Sequence, residues 1–292
     1  MYNLNTRGGR GRRGPRPAAR RDLGWLIALG AAVPVLVTGY WLAAPGARPA
    51  VRTADVLAGA TSPATPVVGG WGRGGYPMMA GPGAGGAAAV PNVVSVNWAG
   101  YAATGAAGAF TSVSSSWAQP AVSCGATDAF SSFWAGLDGD GTPTVEQTGT
   151  EADCAHGAAT YQGWYEIFPN APVFYPNPVR PGDAMSASVV AHGGGTFTLT
   201  LSDATQGWTQ TTQQAAAGAR LGSAEVIAEA PSNGTVLPLA DFGTVNFTAA
   251  TVDNAPIGAS ANLSELTMAS AAGTALATPS ALTGGSAFSV SR

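Results

Sequence analysis

The sequence predicts an all-β domain, an antiparallel β-sandwich of two large sheets, and three observations predict it. Short runs alternate apolar and polar residues with a period of two, as in Thr196-Phe197-Thr198-Leu199-Thr200-Leu201. Gly, Pro, Asn and Asp punctuate these runs, and no amphipathic helical pattern interrupts them. From Asn92 onward the chain supplies about 200 residues of this kind, enough for one large sandwich or barrel.

The N-terminal elements read differently. Residues 1–22 are basic, holding Arg7, Arg10, Arg12, Arg13, Arg16, Arg20 and Arg21. Residues 23–47 are an uncharged, largely apolar stretch centred on Trp25-Leu26-Ile27-Ala28-Leu29 and Val33-Pro34-Val35-Leu36-Val37. Basic, then apolar, then small residues is the order of an export signal. The apolar part exceeds the usual signal length and approaches the ~20 residues that span a bilayer. Signal peptide and retained transmembrane anchor both remain open. Either places the remainder outside the cytoplasm, secreted or held on the outer side of the membrane. Arg20-Arg21 also fits a twin-arginine signal, although a pair is expected by chance in so arginine-rich a segment. Residues 48–91, rich in Gly, Ala and Pro, read as a linker or short pro-segment. Residues 92–292 are the expected β-sandwich domain.

Charge narrows the function. Charged residues make up 10% of the chain, against about 25% in ordinary soluble domains. Lysine is absent. From Asn92 onward three arginines face 14 acidic residues, a formal charge of −11. In acid such a domain loses its carboxylate charge without leaving many cations to repel one another, so the composition suits an acidic medium. It disfavours nucleic acid as a partner. The two cysteines, Cys124 and Cys154, read in an exported chain as one disulfide. No metal or cofactor is expected, and the chain is expected to be a monomer.

Alternation assigns side chains to faces. Along Ser132 to Asp138, Phe133, Ala135 and Leu137 form a core face. Ser132, Trp134, Gly136 and Asp138 point the other way. Trp164, Glu166 and Phe168 share a face, as do Glu225, Ile227 and Glu229, and as do Val145 and Gln147. Carboxylates and an amide beside tryptophans, without a basic partner, suit an extended ligand and proton transfer.

These strands also resemble a known family. Asn97-Trp98-Ala99-Gly100-Tyr101 resembles the opening of mature glutamic peptidases. Trp134-Ala135-Gly136-Leu137-Asp138-Gly139-Asp140, Gln147-Thr148-Gly149, Trp164-Tyr165-Glu166 and Ala224-Glu225-Val226-Ile227-Ala228-Glu229 resemble successive motifs of the same family, the eqolisins. Val226 stands where that last strand often has an aromatic. The resemblance implies a lectin- or glucanase-like sandwich and an acid-acting endopeptidase for protein or peptide substrates. It implies Gln147 and Glu229 as catalytic residues, Glu229 taking a proton from water and Gln147 stabilising the oxyanion. Trp98, Trp134, Asp138, Trp164 and Glu166 would bind substrate or support the pair. A glycosidase needs two carboxyls about 5–10 Å apart, so a glycan-binding or glycan-cleaving sandwich is one alternative. A non-catalytic anchored surface protein is another.

Overall fold

The computed structural model describes residues 90–292 except Gly234, together with the two-residue strand β1 (Val56–Leu57). The basic segment, the apolar segment 23–47 and almost all of 48–91 lie outside the described residues. Among the described residues, no helix is long and apolar enough to cross a membrane.

The strands follow in chain order: β2 (Asn92–Ser95), β3 (Trp98–Thr104), β4 (Ser112–Ala118), β5 (Ser132–Leu137), β6 (Val145–Ala155), β7 (Ala158–Phe168), β8 (Val173–Pro178), β9 (Ala184–His192), β10 (Thr196–Asp203), β11 (Trp208–Ala215), β12 (Ser223–Glu229), β13 (Thr244–Val252), β14 (Ala255–Pro256), β15 (Leu263–Ala269), β16 (Ala275–Pro279) and β17 (Phe288–Ser291). A front sheet runs β8-β7-β6-β5-β12-β3-β15-β2-β1. A back sheet runs β11-β10-β9-β4-β13-β17-β16. All these pairs are antiparallel except β15–β2. Strand β16 also pairs with β15 and so joins the two sheets.

The core lies between the sheets. Ala99, Tyr101, Phe133, Ala135, Leu137, Val226 and Ala228 of the front sheet meet Val113, Trp117, Met185, Val189, Leu199, Phe247 and Phe288 of the back sheet. The period of two read from the sequence is the cause: in strands such as β9, β10 and β13 one face is apolar and buries against the other layer. The outward face of the back sheet is different. Ser114, Ser188, Thr200 and Thr211 lie level on four neighbouring strands, and Ser116, Ser186, Ser202 and Thr209 form the next row. Ser202 Oγ and Thr209 Oγ1 are 2.9 Å apart.

The outward face of the front sheet carries a second apolar cluster, containing Trp98, Trp134, Val145, Trp164, Phe168 and Ile227. Cys124 and Cys154 form a disulfide with their Cα atoms 5.3 Å apart. It ties the loop before β5 to the far end of β6.

Candidate active site

The register of the front sheet ranks its outward side chains into rows. One row is Trp98, Glu229, Ser132, Glu151 and Gln162. The next is Gly100, Ile227, Trp134, Gly149 and Trp164. The third is Ala102, Glu225, Gly136, Gln147 and Glu166. Glu229 and Gln147 are therefore two strands and two rows apart. Between Cα positions that is about 10 Å across the sheet and about 13 Å along it.

Trp134 occupies the ground between them. Its Nε1–H donates to Glu229 Oε2 at 2.8 Å. Its benzo edge covers Gly136, where an added Cβ would lie 2.9 Å from Trp134 Cζ3 and 3.1 Å from Gln147 Cβ. The indole therefore touches the surroundings of both residues. Two glycines make room for it. At Gly149 a Cβ would meet Phe133 O at 2.1 Å and Trp134 Cβ at 2.6 Å. Trp98 packs edge-on against Trp134, with ring centroids 5.0 Å apart. The large buried indoles take the place that water would otherwise have beside Glu229.

Glu229 is accordingly desolvated. Burial pushes its carboxyl up to about 7, and the Trp134, Trp98 and Asn97 side chains oppose that rise. Asn97 Nδ2 donates to Glu229 Oε1 at 3.2 Å. Trp98 Nε1 is buried and closes no hydrogen bond, yet acts on the carboxyl in the same direction. The reference glutamate value of about 4.3 does not apply here, because the apolar ring around the carboxyl disfavours its charged form.

Gln147 is 6% exposed. Its Nε2 donates to Glu166 Oε2 at 2.8 Å, while its Oε1 is buried without a partner. Trp164, on the middle row, forms the wall beside Phe174.

Asp138 is turned to backbone groups, not outward where alternation alone places it. It sits just past β5 with a positive φ of 63° and is fully buried. Its Oδ2 accepts from the backbone N–H groups of Arg220 and Leu221, and its Oδ1 accepts from Gly222. It clamps the segment leading into β12 and supports the site from beneath.

The burial of several acidic groups was not legible in the sequence. Glu225 and Glu146 are fully buried, and neither carboxyl closes a hydrogen bond. Burial pushes Glu146 up to about 8, helped by Asp138, and raises Glu225 well above the ordinary range. Glu151 and Asp153 are also raised by burial, and Asp153 adds repulsion to Glu151. Asn97 belongs to the opening motif, whose resemblance implies a site role for Trp98 alone. Its place at the bend before β3, not its sequence context, brings it to Glu229. Among the described residues no cluster of His, Cys, Asp and Glu could hold a metal ion.

Comparison with known proteins agrees with this architecture. Scytalido-glutamic peptidase, solved with a peptide-based transition-state analog, superposes with a TM-score of 0.57 at 26% identity, covering 67% of this chain and 98% of that one. SCP-B, a member of the eqolisin family of peptidases solved with the tripeptide Ala-Ile-His, gives a TM-score of 0.54 at 26% identity over the same shares of the two chains. Aspergillopepsin-2 of Aspergillus niger is 29% identical over 181 residues, which are 53% of this chain and 63% of that protein. The match thus spans less than two thirds of that relative's length. Residues 96–292 match the model of the Peptidase A4 family. That stretch takes in the whole Trp134-centred face, and the chain belongs to the Peptidase A4 family.

Proposed function

We propose that this chain is an acid-acting endopeptidase in which Glu229 moves the protons and Gln147 positions water and oxyanion. The observation that carries the reading is the Trp134 indole. It holds Glu229 through Nε1 and lies over Gly136 beside Gln147. The two candidate catalytic side chains thus flank one apolar floor on one face. The relatives bound to a transition-state analog and to a tripeptide favour an extended peptide lying across that floor.

The desolvated carboxyl changes the expected order of proton steps. Below about 7 Glu229 rests as the neutral acid, so it does not begin as a base. As water adds to the scissile carbonyl carbon, Glu229 gives its proton to the carbonyl oxygen. It takes one back from the water, leaving a neutral diol. It then protonates the amide nitrogen as the carbon–nitrogen bond breaks, and a diol proton returns to it. Atoms and charge balance, and Glu229 ends as it began. Gln147 serves through two groups. Its Oε1, buried and unpartnered in the free protein, would turn to accept from the attacking water, and the second hydrogen on Nε2 would stabilise the negative charge growing on the carbonyl oxygen until the Glu229 proton reaches it. An amide does neither task by titrating, so it works at any acidity.

Export belongs to the same proposal. The basic and apolar segments 1–22 and 23–47 would carry the domain out of the cytoplasm, by a cleaved signal or as an anchor. Incubation of the purified protein in acid with a denatured protein, and separately with polysaccharides, tests the reading. Release of new peptide N-termini is expected. Release of sugar ends alone would assign the sandwich to glycans instead.

A further inference from the structure

Glu229 has a third neighbour besides the two indoles. Asn97 is 3% exposed, and its side chain makes one hydrogen bond, from Nδ2 to Glu229 Oε1 at 3.2 Å. Its Oδ1 is buried and has no partner. Among the described residues this side chain is hydrogen-bonded to no backbone group. The backbone of residue 97 does the structural work, its N–H reaching Ser95 Oγ and its carbonyl accepting from the Ala230 N–H. Native proteins seldom keep a buried amide with an unsatisfied oxygen unless something else requires the group. An apolar side chain would occupy the site without that cost.

The contact with Glu229 is what remains to explain it. Trp134 donates to Oε2 and Asn97 donates to Oε1. Each carboxyl oxygen therefore has one lone pair occupied by an N–H. The proton of the neutral acid is left to the other lone pairs, away from both donors. We propose that Asn97 is a positioning residue that orients the Glu229 carboxyl and turns its proton toward the bound peptide. An amide suits the task because it donates without a charge of its own and does not titrate in acid. The inference rests on the proposed role of Glu229.

The groups around Glu229 make the test clean. Trp98 and Asn97 approach from β3 and its entry, and Trp134 and Ser132 from β5. The carboxyls next in register are Glu151, beyond Ser132 on β6, and Glu225, two rows along β12. The shift of the Glu229 carboxyl is set by burial and by the Trp134, Trp98 and Asn97 donors. Loss of Asn97 is thus read against a background of uncharged neighbours.

The experiment uses the full-length chain labelled with 13C at glutamate side chains. The Glu229 resonance is assigned by its loss in Glu229→Gln, and its titration is followed in wild type, Asn97→Ala and the isosteric Asn97→Asp. Removal of the donor should raise the Glu229 midpoint by about one pH unit in Asn97→Ala, and further in Asn97→Asp, where a second carboxyl replaces the amide. Turnover number should fall about tenfold in Asn97→Ala with KM within about twofold. An unchanged midpoint overturns the proposal. So does a lowered one, because it would mean that the amide oxygen, not the N–H, faces the carboxyl. The titration is independent of turnover. If Glu229→Gln stays active, the catalytic reading fails while the titration still decides whether Asn97 governs this carboxyl.

Discussion

Gln147 Nε2 donates to Glu166 Oε2 at 2.8 Å, and that bond fixes the orientation of the amide. With one Nε2 hydrogen engaged, the amide is held in one orientation, with Oε1 buried and unpartnered. Glu166→Ala should free the amide to rotate. The expected outcome is a fall of about tenfold in turnover number with little change in KM. Glu166→Gln keeps an acceptor oxygen and should lose less. Steady-state kinetics on a peptide substrate in acid distinguish the two.

Glu229→Gln keeps the shape of the side chain and its contact with Trp134 but removes the transferable proton. Proteolysis should vanish while circular dichroism stays native. Gln147→Ala should cost about 10²–10³ in rate, by comparison with other oxyanion donors. Folded Glu229→Gln with near wild-type activity would falsify the mechanism.

On the proposed mechanism Glu229 works from its neutral form, so the rate should fall as pH rises through about 7. The alkaline limb of kcat/KM reports that ionisation in the free enzyme. A limb centred near 4.3, the reference value for glutamate, would mean that the indole ring does not desolvate the carboxyl in solution.

Stability should follow a related course for another reason. Glu146 is held up at about 8 by burial and by Asp138, whereas in the unfolded chain it titrates near 4.3. Between those values the native state keeps a proton that the unfolded state has released, so stability declines as pH rises from about 4 to 8. Glu225, Glu151 and Asp153 act in the same direction. Glu146→Gln should raise the melting temperature at pH near 7 and leave it nearly unchanged near pH 3. A calorimetric Tm that climbs with pH in the wild type would contradict this account.

Cys124 and Cys154 close a loop of 30 residues. In the chain-entropy model such a link stabilises by about 3–4 kcal/mol. Replacing both by serine should lower Tm by several degrees without changing the Glu229 titration. Thiol counting on the non-reduced protein should find none free.

The faces of the strands were legible because alternation separates them, while the choice of Gln147 and Glu229 on those faces came from the family resemblance. Phe133, Ala135 and Leu137 go inward, and Trp134 and Gly136 outward, whatever the neighbouring strands are. Register is not legible in that way. The order β6-β5-β12-β3 brings together strands far apart in sequence, so nothing local reveals that Gln147 stands level with Glu225 rather than Glu229. Asp138 reads as the next outward residue of β5, but the chain turns there at positive φ and sends its carboxylate to the Arg220–Gly222 backbone. Buried, unpaired acids such as Glu146 and Glu225 are opaque for a further reason. A carboxyl's ordinary place is in water, and only the packed layers show it withheld.

The rows of serine and threonine on the back sheet bear on how the molecule behaves in bulk. A hydroxyl holds water equally well at any acidity, so this face keeps its hydration while the carboxylates elsewhere gain and lose charge. Across that face, colloidal repulsion between molecules comes from bound water rather than from net charge. The usual minimum of solubility at the isoelectric point should therefore be shallow, and the protein should stay dispersed as an acidifying medium carries it through neutrality of charge.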